Sequence, residues 1–249
     1  MTMHSSLKRA FDRANALKII AGLTNFDADR VAAVVRAADR GGATFIDLAA
    51  DPALVQLAKS LTDLPICVSA VEAAKFVAPV EAGADLIEIG NFDAFYARGL
   101  RFEAEDVLRL TRETRQLLPE ITLSATVPHI LPLDEQVELA QGLVEAGADI
   151  IQTEGGTSSS PTHAGTLGLI EKAAPTLAAA AEISRAVSVP VLCASGLSSV
   201  TAPMAIAAGA SGIGVGSAIN RLDNEVAMVA VVRSLVEALA TVSRDRVTP

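Results

Sequence analysis

The apolar positions of this chain fall in short runs, and four of those runs are entered through one recurring phrase. "DRGGATFIDLA" from Asp39, "VEAGADLIEIG" from Val80, "VEAGADIIQTEGG" from Val144 and "IAAGASGIGVG" from Ile206 each read as a helix end, a Gly, an Ala and an apolar stretch. Gly just past a helix takes the left-handed conformation that stops it, and the Ile- and Val-rich residues that follow make a buried strand. Four more strand candidates lie between these units, at residues 16–22, 65–69, 121–127 and 190–196. Helical spacing predicts helices over 28–39, 53–60, 74–82, 104–117, 133–146, 171–186, 200–208 and 224–242. Their starts carry caps or acidic first turns at Asp27, Asp29, Asp51, Glu103, Glu105, Asp134 and Glu135. Eight strand–helix units in strict alternation predict α/β architecture, a single closed (β/α)8 TIM barrel over 16–242. A helix within 1–15 precedes it and a tail over 243–249 follows. An open doubly wound sheet is the alternative, and it lacks a Gly-rich dinucleotide turn after the first strand.

In a closed barrel, one parity of each strand packs on the helices and the other fills the interior. With Leu17, Ile19, Ile46, Leu48, Ile87, Ile89, Ile151 and Thr153 facing the helices, Lys18, Gly22, Asp47, Glu88, Gln152 and Glu154 point inward. Cys67, Ser69, Ser124 and Thr126 join them by the same rule. The repeated phrase thus builds equivalent strands, and the changing inward residue individualises the interior.

Composition narrows the choice. The chain is 51% hydrophobic but 3% aromatic and has no Trp, so Ala, Val, Leu and Ile must fill the core. Small aliphatics suit helices packed on a buried parallel sheet. A net charge of −9 without a Lys/Arg cluster gives no electrostatic footprint for nucleic acid or an anionic membrane. No run reaches the length of a membrane span. The N-terminal residues lack a signal-peptide pattern and read as an amphipathic helix closing the barrel floor. Cys67 and Cys193 sit in apolar runs without metal-ligand spacing and read as reduced, buried thiols of a cytosolic-type protein. The three histidines are too dispersed for a local metal motif, and no metal site is predicted.

Chemistry concentrates on the inward set. A buried lysine among carboxylates must pair, because lone buried charges pay several kcal/mol of desolvation. Lys18 is expected to pair with Asp47 or Glu88, either as a structural ion pair or as a proton-transfer or Schiff-base lysine. Glu154 and His129 lie near the carboxyl ends of their strands, where barrel enzymes keep their chemistry, and are candidate acid–base groups. Lys18, Asp47, Glu88, His129 and Glu154 form the candidate catalytic set, with Asn91, Tyr96, Ser124, Thr126 and Gln152 as pocket residues. "CASGLSS" and "GIGVGSAIN" close the seventh and eighth strands. The backbone N–H groups of Ser195, Gly196, Gly216 and Ser217 can converge there on a phosphate. Gly155 and Gly156, after Glu154, also let a ligand approach the backbone. The Gly-, Ser- and Thr-rich stretch 154–168 reads as a lid. "NFDAFYARGLRF" carries four of the eight aromatic residues, which with Phe26 can roof a pocket or simply pack together. Asp93 on it reads as a helix cap.

"GLTNFD", "GGATFIDLAADPALV", "PICVSAV", "AGADLIEIGNFDAFY", "TLSATVPHIL", "IIQTEGG", "GLIEKAAPTLAAA" and "PVLCASGLSSVTAPMAIAAGASGIGVGSAIN" are distinctive blocks. Together, over about Leu17 to Val242, the chain resembles the hypothetical chloroplast open reading frame 23 family of cyanobacteria and plastids. The resemblance implies an aldolase-type or ribulose-phosphate-binding barrel, soluble in a cyanobacterial cytosol or plastid stroma. It supplies neither an established activity nor a catalytic assignment. The leading functional expectation is an enzyme acting on a small phosphorylated metabolite, of isomerase, aldolase/lyase or decarboxylase type, without a cofactor. Two alternatives stand beside it: an FMN-binding oxidoreductase, and a non-catalytic phospho-ligand sensor or scaffold. Homo-oligomer formation is left open.

Overall fold

The computed structural model describes residues 3–96, 98–155 and 160–243. Eight strands, β1 (Ala16–Ile20), β2 (Phe45–Ala49), β3 (Ile66–Ala70), β4 (Leu86–Ile89), β5 (Thr122–Val127), β6 (Ile150–Thr153), β7 (Val191–Ala194) and β8 (Gly212–Val215), each pair in parallel with the next. β8 pairs back onto β1, with Ala16 opposite Gly212 and Lys18 opposite Gly214, so the barrel closes and the open sheet is ruled out. Around it run α1 (Ser5–Asp12), α2 (Ala28–Gly41), α3 (Pro52–Leu61), α4 (Val77–Glu81), α5 (Asp93–Tyr96) and α6 (Ala104–Leu117). α7 (Leu133–Glu145), α8 (Gly165–Ala186), α9 (Ala202–Ala207), α10 (Ser217–Asn220) and α11 (Glu225–Ser243) complete the layer.

The helix starts follow their local chemistry. The Asp27 carboxylate accepts from the N–H groups of Asp29 and Arg30, and Asp51 accepts from Ala53 and Leu54 ahead of α3. Glu103 and Asp106 form a reciprocal capping box at α6. Such caps contribute about 1 kcal/mol each.

Two helices differ from the sequence expectation. The segment expected as one helix over 74–82 is a 3-10 turn, Ala73–Phe76, running into the five-residue α4. Pro79 has no N–H for a longer i to i−4 ladder there. α8 starts at Gly165, not Glu171, and carries Pro175 within it. The Glu171 carboxylate accepts from the backbone N–H groups of Thr162 and His163 and pins the chain in front of the helix. A Cβ on Gly168 would stand 2.0 Å from the His163 carbonyl oxygen, so only glycine admits that fold-back. The lid expected over 154–168 is therefore shortened by the early helix. Residues 156–159, and the tail beyond 243, lie outside the described residues.

Side-chain parity divides the core in two. Leu17, Ile19, Ile46, Leu48, Ile87, Ile89 and Ile151 pack with the helices in the outer cluster. The floor of the barrel is a second cluster, in which Leu7 and Phe11 of α1 plug an interior layer of Ala16, Phe45, Cys67, Leu86, Ile150 and Leu192. Above that layer the interior turns polar.

Candidate functional site

The middle of the barrel holds a buried ionic network. The ammonium of Lys18, with zero exposure, donates to Glu88 Oε2 at 2.5 Å and to Gln152 Oε1 at 3.0 Å, and stands 3.9 Å from Asp47 Oδ2. Ser124 Oγ donates to the same Glu88 oxygen at 3.1 Å. Gln152 Nε2 donates to Glu88 Oε1 at 2.7 Å and to Thr126 Oγ1 at 3.2 Å, so the amide is held at both ends. Ser69 Oγ donates to Asp47 Oδ1 at 2.5 Å, and Asp47 Oδ2 has no hydrogen-bond donor. Burial pulls the Lys18 pKa down, but the charges of Asp47 and Glu88 outweigh it and leave it above its ordinary value. Burial raises Asp47 to about 6, against the opposing pull of Lys18. Lys18 is thus held as an ammonium between two carboxylates, and an imine role would require it to give up that proton first.

A second cluster sits one layer higher, on the carboxyl-end loops. Glu154, 2% exposed, accepts from Tyr96 Oη at 2.6 Å, from the Asp93 N–H at 3.2 Å and from the His129 N–H at 3.3 Å. His129 Nδ1 lies 3.3 Å from Glu154 Oε1 and 3.7 Å from Asp93 Oδ1, and the Tyr96 ring meets the imidazole edge-on at 5.2 Å. Burial lowers the His129 pKa, while the Glu154 hydrogen bond and the charges of Glu154 and Asp93 raise it, with a net rise. Ser195 Oγ donates to Asp93 Oδ2 at 3.4 Å, tying this cluster to the end of β7.

Between the two clusters lies a cavity of about 60 Å³, lined by Ile20, Asn91, Gln152, Glu154 and the exits of β7 and β8. Its β7 and β8 wall comprises Ser195, Gly196 and Leu197 on one side and Gly216 and Ser217 on the other. Among the described residues, no protein group accepts a hydrogen bond from the backbone N–H of Gly196, Leu197, Gly216 or Ser217. Ser195 adopts φ 78°, a left-handed conformation unusual for a residue with a Cβ, and Gly196 follows at φ 74°. Unpaired amides and local strain both gather at functional sites. A larger hollow of about 720 Å³ lies outside the barrel, between residues 71–74 and α6, remote from both clusters.

The structure brings most of the predicted residues together and reassigns several. Ser195, Gly196, Gly216, Ser217, Asn91 and Gln152 line the cavity with Glu154. Ser124 and Thr126, expected as pocket residues, instead brace Glu88 and Gln152 below it. Gly155, expected beside the phosphate, is packed elsewhere: a Cβ there would stand 3.1 Å from both the His129 and Pro175 Cβ atoms. Gly156 lies outside the described residues. The aromatic roof does not form, because Phe92, Phe95 and Phe102 pack on one another while Phe26 is 62% exposed. Of that loop's aromatic residues Tyr96 alone reaches the Glu154 cluster, where the Asp93 backbone joins it. Asp93, expected as a helix cap, does open α5 and also joins the Glu154 cluster, while the Leu197 amide was missed because a backbone N–H carries no sequence signal.

Fold and site define a closed eight-stranded α/β barrel with a polar interior and an amide-lined cavity at its carboxyl end. The chain belongs to the family described as "Protein of unknown function (DUF561)", which matches residues 3–245. Its relatives include "Uncharacterized protein ycf23" of Pyropia yezoensis, 40% identical over 229 residues, covering 92% of this chain and 84% of the relative. The protein of the same name in Cyanophora paradoxa is 42% identical over 228 residues, covering 91% and 93%. Thiamine phosphate pyrophosphorylase from Pyrococcus furiosus superposes with a TM-score of 0.61 at 21% identity, covering 92% of this chain and 98% of that one. (S)-3-O-geranylgeranylglyceryl phosphate synthase from Thermoplasma acidophilum, in complex with sn-glycerol-1-phosphate, gives 0.63 at 17%, covering 95% and 99%. At such identities the likeness concerns the fold. Among the described residues no helix is long and apolar enough to cross a membrane, and no group of three or more His, Cys, Asp or Glu is arranged to hold a metal.

Proposed function

We propose that this protein is an enzyme that binds a small phosphorylated metabolite and moves a proton on it, as in an isomerase or aldolase-type lyase. The observation that carries this reading is the set of unpaired amides of Gly196, Leu197, Gly216 and Ser217 in the lining of one cavity that Glu154 also lines. Amides from two loops suit an anion in a protein of net charge −9, because fixed dipoles require no basic side chain. The phosphate-handling names of two barrel neighbours agree with this reading without deciding it.

The chemistry falls to His129. Glu154, already accepting from Tyr96, Asp93 and the His129 backbone, orients the ring by taking the Nδ1 proton and leaves Nε2 as the proton acceptor. Phosphate anchoring then holds the carbon acid in place. Lys18, fully buried and engaged with Glu88 and Gln152, is a fixed charge beneath the floor rather than a nucleophile. No specific observation favours the flavin alternative.

The test combines binding and exchange. Titration calorimetry with inorganic phosphate should show binding in the wild type and in Ser217→Ala, and its loss in Ser217→Asp. An acidic residue at the start of α10 is well tolerated by the helix but repels an anion. A panel of small phosphorylated aldoses and ketoses in deuterated water should show wash-in at the carbon beside the carbonyl, reduced at least about 100-fold in His129→Gln. Phosphate binding with no exchange or turnover across the panel would instead favour a non-catalytic phospho-ligand sensor.

A further inference from the structure

The three charged groups beneath the cavity do not cancel. Lys18 contributes one positive charge against the two carboxylates of Asp47 and Glu88, and of these two it hydrogen-bonds Glu88 alone, at 2.5 Å. Asp47 is left at 3.9 Å, 1% exposed, with Ser69 donating to Oδ1, the buried Cys67 thiol as a weak donor beside the carboxylate, and no hydrogen bond of ordinary geometry to Oδ2. A buried carboxylate oxygen without a donor is a costly state that a proton relieves. The path upward is short: Lys18 donates to Gln152 Oε1, and Gln152 lines the cavity floor.

Resting on the anion-site reading above, we propose that ligand binding in the cavity is coupled to protonation of Asp47, so that the protein takes up a proton as the anion arrives. With Asp47 ionised the network carries net negative charge and opposes an anion above it. With Asp47 protonated, Lys18 and Glu88 balance and the opposition is gone. Linkage makes the effect reciprocal, because an anion in the cavity favours the protonated carboxyl as much as the proton favours the anion. Lys18 on β1 stays an ammonium, Cys67 on β3 has its thiol pushed up by burial, Ser69 on β3 only donates, and Glu88 on β4 accepts from Lys18, Ser124 and Gln152. Burial already places Asp47 where neutral pH straddles its titration, at about 6. His129, bonded to the cavity-lining Glu154 and with a raised pKa, is a second titrating group near the ligand, and the His129→Gln background removes it.

The experiment titrates sulfate, which stays fully ionised, into the full-length His129→Gln protein across the window from about pH 5 to about pH 8. Sulfate affinity should fall on the order of tenfold across that window, corresponding to about one pKa unit of coupling. Runs in two buffers of different ionisation heat should show proton uptake at the middle of the window. Asp47→Asn in the same background should abolish both and retain the tight, low-pH affinity throughout. Infrared difference spectra of the Asp47-containing protein should gain a protonated-carboxyl band on sulfate addition, a readout that survives if Asp47→Asn folds poorly. Affinity that is flat with pH, or a slope that persists in Asp47→Asn, overturns the coupling while leaving the anion site standing. Absence of sulfate binding at every pH overturns both.

Discussion

Lys18 has no exposure and three polar neighbours, so removing it exposes the protein to the charges it was holding. Lys18→Met keeps most of the volume but leaves Glu88 and Asp47 without a cation. Breaking one partner of a buried ion pair is expected to destabilise by about 3–5 kcal/mol at neutral pH. The loss should shrink as pH falls toward 5, because the orphaned carboxylates then take up protons and the unfolded state gains no equivalent relief. Urea unfolding at two pH values checks both the size and the sign. His129 offers a second test at this scale. Its folded pKa is raised, so its pairing stabilises the fold fully below the unfolded value and that contribution is lost as pH rises through the folded one. Glu154→Gln removes the hydrogen-bonded charge that lifts the imidazole while burial remains, and the His129 pKa followed by NMR should fall. A value unchanged in that variant would show that Glu154 does not control the ring.

Elements decide which of these groups can meet. Gly90, just past β4, has φ 129°, and a Cβ there would stand 2.4 Å from Thr126 Cβ and Oγ1. Thr126 in turn accepts from Gln152, so the closeness of the β4 exit and β5 sets the floor of the cavity. Gly90→Ala is expected to cost about 2–3 kcal/mol through backbone strain and overpacking together. It should also weaken phosphate binding by disturbing Gln152. A urea midpoint and slope indistinguishable from wild type would show that this contact is slack. The strands and their inward faces were legible in the sequence because parity is a local rule: once Ile46 and Leu48 face the helices, Asp47 has nowhere to point but inward. Lys18, Glu88 and Gln152 followed in the same way. What the sequence did not reveal depends on neighbours distant in the chain. The early start of α8 rests on Glu171 reaching back to Thr162 and His163. The aromatic loop folds on itself because Phe102 lies within reach of both Phe92 and Phe95. Whether the amides of Gly196 and Ser217 are paired is a property of loop conformation, to which side-chain identity adds little.

At the scale of the molecule, the barrel carries its polar network over an apolar floor, and that floor is completed from outside the strands. Leu7 and Phe11 of α1 fill the layer made by Ala16, Phe45, Cys67, Leu86, Ile150 and Leu192, and the Phe11 and Phe45 rings meet edge-on at 6.2 Å. Without that plug the amino end of the barrel would admit water to within one layer of Lys18 and Asp47. Both the hydrophobic and the ionic parts of the interior therefore depend on a helix that makes no strand contact of the ladder type. If α1 belongs to the same cooperative unit as the barrel, Phe11→Ala should lower the stability of the whole chain by about 3–5 kcal/mol, the usual range for a buried Phe. The urea midpoint should move down with the slope unchanged and a single transition retained, since as much surface is exposed as before. A helix that merely leans on a self-sufficient barrel predicts the contrary: an early loss of helical signal, a second transition and a barrel midpoint that stays in place.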